Sequence, residues 1–201
     1  MNLANKLTIL RIILVPIFVI VGYLAIPTEL FGIPLIFIIM DIIFIIASIT
    51  DKLDGYIARS RNQVTTFGKF LDPLADKILV LSALVMLVGF GKIPAWIPII
   101  VLAREFLVSG YRLLASTKGG QVIAASIWGK VKTATQMVAI ILIFVDRYSF
   151  ADCFVREVRI DMSTFSLLFN IITTVLLAIS TVATIFSGYD YLKNGKDLLK
   201  D

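Results

Sequence analysis

The sequence predicts an all-α, polytopic membrane protein, a six-helix transmembrane bundle with a short N-terminal interfacial helix. Three observations carry that class. Of 201 residues, 59% are hydrophobic and only 16% are charged, which is far more apolar than a soluble domain. The excess lies in runs rather than amphipathic stripes, and six of them, roughly 8–26, 33–50, 72–90, 94–116, 124–145 and 164–187, have spanning or near-spanning length. No internal repeat or change of composition divides the chain, so residues 1–201 are expected to form one transmembrane domain.

The same composition excludes several chemistries. There is no histidine, so imidazole bases, histidine triads and histidine zinc sites are ruled out, and a single cysteine, Cys153, rules out an intrachain disulfide. Catalysis must therefore rest on Asp, Glu, Lys and Arg.

In chain order, the start Asn2 to Arg11 places Leu3, Leu7 and Leu10 at helical spacing against Asn5 and Lys6, as an interfacial helix would. The run after it follows Lys6 and Arg11 but lacks a clear small-residue cleavage site, so it is expected to be a retained first span rather than a signal peptide. The second run closes on Asp51 and Asp54, and the third opens on Asp72 and Asp76. Gly89 to Pro94 is a tight turn between antiparallel helices, whereas the longest polar link, Asp146 to Ser163, balances its charges. The fourth run is interrupted mid-span by Arg104 and Glu105, and Arg112 follows two turns later on nearly the same face. An ion pair within the bundle is the expectation for Glu105. The second cationic turn points Arg104 and Arg112 towards an anion. The fifth run opens with Lys130 and Lys132 at a helix start, where cations do not complement the dipole. A bound anion explains that placement, and snorkelling to the headgroups is the alternative. The tail from Gly188 to Asp201 is expected to be a structural surface helix.

Six alternating spans put Lys6, Arg11, Arg59, Arg61, Lys69, Arg112, Lys118, Lys130, Lys132, Lys193, Lys196 and Lys200 on one side. Lys92, Arg147, Arg156 and Arg159 remain on the other. The bias places both termini and the segment 51–76 at the cytoplasmic face.

That segment holds the chemistry. An Asp at the centre of a spanning helix costs about 2.5 to 3.5 kcal/mol on insertion scales, so four carboxylates at the margins of apolar runs need compensation. Residues three and four apart share a helix face, which aligns Asp51, Asp54 and Ala58 on one stripe and Gly68, Asp72 and Asp76 on another. Facing helices would pool the carboxylates, and an all-oxygen cluster suits Mg²⁺ or Mn²⁺. The alternative makes Asp72 an N-cap before Pro73 and leaves Asp51 and Asp54 as interfacial charges, but it gives Asp76, a turn deeper, no purpose. Gly55 and Ala58 remove bulk from the stripe and Arg59 offers a guanidinium fork, so a nucleotide phosphate could lie against the helix; helix packing is the ordinary reason for either small residue.

Read as a pattern, the segment is D-x-x-D-G-x-x-A-R, eight residues, then G-x-x-x-D-x-x-x-D. With every position filled, it resembles the signature of the CDP-alcohol phosphotransferases, and the six-span layout with a cytosolic N-terminus is similar to that family over essentially the whole chain. The resemblance implies that Asp51, Asp54 and Asp72 bind two divalent metal ions, that Asp76 joins them as ligand and acts as general base, and that Asn5, Thr8, Gly55, Ala58, Arg59, Thr65 and Gly68 border the CDP-lipid. One departure is Ala4, where the family often has proline. Within the family, Asn5 to Arg11, Ala103 to Arg112 and Gly129 to Thr133 are most similar to bacterial members that use a glycerol phosphate acceptor. The implied partners are CDP-diacylglycerol, sn-glycerol 3-phosphate and membrane lipids, with a homodimer as the assembly, the bacterial cytoplasmic membrane as the location, and no nucleic acid.

The acceptor expectation also has a basis in charge. Arg104, Arg112, Lys130 and Lys132 supply more cationic charge than a metal-bound pyrophosphate needs, and a small phosphate ester would satisfy them. Inositol phosphate, phosphatidylglycerol or serine are the alternative acceptors. From a different class, a divalent-cation or proton-coupled transporter would also carry intramembrane carboxylates. Against it, Arg104 and Glu105 are the only charges that continue the route across the membrane.

Overall fold

A computed structural model describes residues 3–60, 66–117 and 127–194, with side chains for 8–50, 74–113 and 127–193. Its helices are α1 (Leu3–Gly22), α2 (Leu35–Ser60), α3 (Thr66–Gly89), α4 (Trp96–Thr117), α5 (Ile127–Val145), α6 (Arg156–Ile160) and α7 (Thr164–Asn194). A two-residue antiparallel pair, β1 (Glu29–Leu30) with β2 (Ile33–Pro34), joins α1 to α2. Its tight turn is made by Phe31 and Gly32, both at positive φ (54° and 72°), as a two-residue hairpin of this hand demands.

Each long helix covers one of the six apolar runs, and the boundaries differ in ways that matter. The N-terminal segment is not a separate interfacial helix: α1 continues from Leu3 through the first run to Gly22. No glycine or proline falls between Leu3 and Val15, so nothing breaks the helix there. α3 starts at Thr66, six residues before the expected boundary, and the tail expected to be helical from Gly188 is so through Asn194 as part of α7, with 195–201 outside the described residues. Among the described residues, Ile127–Val145 and Thr164–Lys193 are long and apolar enough to cross a membrane, while Thr8–Gly22 and Leu35–Thr50 are shorter apolar stretches.

The chain divides into two compact units, residues 1–92 with 141–147, and residues 93–140 with 148–201. In the first, α1 packs against α2 and α3. Its core gathers Phe18, Met40, Phe44, Ala47, Leu79, Leu84, Leu87 and Phe144, all buried, with Phe18 edge-on to Phe144 at 5.9 Å. Lys92 is pulled inwards: its Nζ donates to the Asp146 carbonyl at 2.6 Å and stands 5.5 Å from the Phe37 ring centroid.

In the second unit, α4 packs along α7. The buried face of α7 carries Thr173, Thr174, Ser180, Thr181, Thr184 and Ser187. Several of these hydroxyls bond back to carbonyls of their own helix, Thr181 to Leu177 at 2.8 Å and Thr184 to Ser180 at 2.7 Å. Small side chains with internally satisfied hydroxyls let another helix approach closely in an apolar medium. The long link between α5 and α7 is ordered on α7 itself, because Asn170 accepts from the Cys153 N–H at 2.9 Å and donates to the Ser149 carbonyl at 3.0 Å.

Candidate active site

The signature carboxylates fall on two helices of the first unit that pack against each other, Asp51 and Asp54 in the second half of α2, Asp72 and Asp76 in the first half of α3. Because α3 begins at Thr66, Asp72 is inside the helix, and the N-cap reading of Asp72 and Pro73 is incorrect. A proline this far inside a helix sacrifices a backbone hydrogen bond, which the segment tolerates without ending. The side chains of Asp51, Asp54 and Asp72, and those of Asn5, Gly55, Ala58, Arg59, Thr65 and Gly68, lie outside the described residues. Asp76 is half-buried and engaged in an interaction within the protein.

The donor set fits a hard divalent cation. It is all oxygen, its members stand three apart on α2 and four apart on α3, and both spacings put a pair on one helical face. Among the described residues no group of three metal-ligating side chains gathers.

Just before the carboxylates, α2 meets a buried cation. Arg11 of α1 is fully buried and its Nε donates to the Ala47 carbonyl at 3.4 Å, one turn ahead of Asp51. Thr8, a turn earlier on α1, is buried too. Arg11 was given no role of its own in the site from the sequence, although a charge set between Leu10 and Ile12 gives the same signal that singled out Arg104. It also passed over Asp41, which lies inside the second apolar run and is 5% exposed, with Oδ1 lacking a hydrogen-bond partner.

The second unit assembles the cations of α4 and α5 around one carboxylate. Glu105 Oε1 accepts from Arg104 Nη1 at 2.9 Å and from Lys132 Nζ at 2.8 Å, so the expected ion pair exists and has two cations. Arg104 Nη2 also donates to Ser187 Oγ at 2.6 Å, and Arg112 Nη2 donates to Tyr191 Oη at 3.0 Å. The Tyr191 ring links the two arginines, with each guanidinium carbon 5.9 Å from its centroid. Arg104, Arg112 and Lys132 thus belong to one network. Lys130 is exposed, and residues two apart on a helix do not share a face. The surplus of cationic charge is smaller than the sequence implied, since Glu105 already answers Arg104 and Lys132. Ser187 and Tyr191 were not singled out from the sequence, yet their register with Thr184 on one face of α7 was there to read.

A four-aspartate signature on paired helices of an apolar, helical protein defines a class, and comparison with known proteins agrees. Residues 1–186 match the family model for CDP-alcohol phosphatidyltransferase, and the chain belongs to that family. It is 41% identical to the CDP-diacylglycerol–glycerol-3-phosphate 3-phosphatidyltransferase of Bacillus subtilis (strain 168), over 99% of this chain and 97% of the relative. The Haemophilus influenzae protein of the same name is 38% identical over 100% and 96%, and a probable phosphatidylglycerophosphate synthase of Mycobacterium tuberculosis is 34% identical over 95% and 80%. The transporter alternative is set aside by this membership.

Proposed function

We propose that the protein transfers the phosphatidyl group of CDP-diacylglycerol to sn-glycerol 3-phosphate, giving phosphatidylglycerophosphate and CMP. The observation that carries this reading is the full-length similarity to relatives named for that reaction, in a chain whose signature is complete. The primary hydroxyl oxygen of the acceptor attacks the phosphorus that bears diacylglycerol, a new P–O bond forms, and the bond to the CMP oxygen breaks. Asp76 takes the hydroxyl proton as general base. Asp51, Asp54 and Asp72, with Asp76, would hold two Mg²⁺ or Mn²⁺ ions, which when bound neutralise charge on the transferring and leaving phosphates. Gly55 and Ala58 leave room beside the helix for the nucleotide, Arg59 grips its phosphate, and Asn5, Thr8, Thr65 and Gly68 border it. Arg104, Arg112, Lys130 and Lys132 bind the acceptor phosphate, for which a guanidinium fork has matching geometry.

In this reading the six long helices cross the bacterial cytoplasmic membrane, both termini and the carboxylates face the cytosol, and the chain works as a homodimer. The positive-inside distribution of Lys and Arg supports the orientation. The test is a product assay with purified protein, CDP-diacylglycerol and a panel of acceptors, each with Mg²⁺, Mn²⁺ or chelator. CMP release and phosphatidylglycerophosphate only with glycerol 3-phosphate and a divalent ion are expected. Equal turnover with serine or inositol phosphate, or undiminished turnover in chelator, would overturn the acceptor or the metal assignment respectively.

A further inference from the structure

The arginines of α4 are held from α7. Arg104 and Arg112 stand eight residues apart, about 12 Å along the helix axis at 1.5 Å per residue, and both reach the same aromatic ring. Tyr191 is 2% exposed, so the ring is fixed by its surroundings, whereas Arg112 is exposed. Two guanidinium groups drawn towards one point repel each other, and their long side chains would otherwise sample many rotamers. The face of an aromatic ring attracts cations, and the hydroxyl takes one N–H of Arg112 while leaving the rest of its five-donor fork. Arg104 is tied through Nη1 to Glu105 and through Nη2 to Ser187, and its Nε has no hydrogen-bond partner.

We propose that Tyr191 is a positioning residue for the acceptor: it presets Arg104 and Arg112 as a pair that receives the phosphate monoester dianion. The inference rests on the reading of these cations as the acceptor site. Tyr191 does not touch the reacting atoms; it acts by holding both guanidinium groups against one fixed ring before the ligand arrives, so that binding does not have to order them.

The experiment is steady-state kinetics of the full-length protein in micelles containing CDP-diacylglycerol, for Tyr191→Phe, Tyr191→Leu, Arg112→Ala and the double variant Tyr191→Leu/Arg112→Ala. Tyr191→Phe keeps the ring and loses one hydrogen bond, so the KM for glycerol 3-phosphate should rise about 3- to 10-fold; Tyr191→Leu loses both and should raise it about 10- to 50-fold. The KM for CDP-diacylglycerol and kcat should stay within about twofold, and Tyr191→Leu should add less than about twofold to Arg112→Ala, because the two act as a unit. A merely structural tyrosine would instead lower kcat or raise both KM values, and either result overturns the proposal. If Arg112→Ala raises the acceptor KM and neither Tyr191 variant does, positioning fails while the acceptor site stands. If Arg112→Ala itself leaves the acceptor KM unmoved, the acceptor site was misplaced and the proposal falls with it. Should Tyr191→Leu not fold, Tyr191→Phe decides the matter.

Discussion

Replacing Glu105 by Gln keeps the size of the side chain and removes the charge that Arg104 and Lys132 share. The side chains of Glu105 and Lys132 are 13% and 8% exposed, so water cannot take over as counter-ion for Lys132. Breaking a buried pair by removing one partner costs about 3 to 5 kcal/mol. For a chain of this length each kcal/mol moves Tm by about 2 to 4 °C, so Glu105→Gln should melt about 6 to 20 °C lower. The lower part of that range is the better expectation, because Arg104 keeps its bond to Ser187 and its place against the Tyr191 ring. Adding Lys132→Met removes the stranded cation, and the double variant should recover most of the loss. Circular dichroism melts in one detergent at one protein concentration measure both. Saturating glycerol 3-phosphate should raise the Tm of Glu105→Gln more than that of the unmodified protein, since the ligand's charge would replace the carboxylate. An unchanged Tm in Glu105→Gln, or a double variant as unstable as the single one, would refute the reasoning.

Other perturbations address the remaining groups. Asp76→Asn removes the proton acceptor while keeping shape, so turnover should fall by about 10² to 10⁴ while CDP-diacylglycerol still binds; substantial residual turnover would end its role as base. Asp51→Asn and Asp72→Asn should each raise the metal concentration for half-maximal rate, and a metal titration unchanged from that of the unmodified protein in both would count against a shared site. In Lys92→Met the charged hydrogen bond to the Asp146 carbonyl is lost, which should reduce stability by about 1.5 to 3 kcal/mol. Specific activity at low temperature should be unaffected, and a catalytic defect there would show that Lys92 does more than tie the turn after α3 to the residue that follows α5.

The class of fold was legible because it follows from composition and run length, which are additive along the chain. Boundaries were less so. The third run was expected to start at Asp72 because hydropathy starts there, yet α3 starts at Thr66, since backbone hydrogen bonding ignores the polarity of the first turns. The same bias put the helical residues after Gly188 at the surface, although α7 runs through Asn194 and buries Tyr191. A helix end is set by capping and packing, and hydropathy reports neither.

Within the candidate site, what could be read was cost, and what could not was partnership. Charges inside apolar runs announce themselves wherever they stand, and Arg104 and Glu105 were found that way; Arg11 and Asp41 gave the same signal. Which group answers each charge depends on helices distant in sequence. Glu105 meets Lys132 from 27 residues away, and Arg104 meets Ser187 from 83. No periodicity within α4 contains that information. It changes the chemistry, because a pair of cations that share a carboxylate attracts a dianion less strongly than two bare ones. An enzyme that must release a charged product gains from that moderation, since a site of uncompensated arginines would hold glycerol phosphate and its lipid product alike. Glu105 is on this view the residue that keeps the cationic network stable when no ligand is bound, and its neutralisation should tighten acceptor binding even as it weakens the fold.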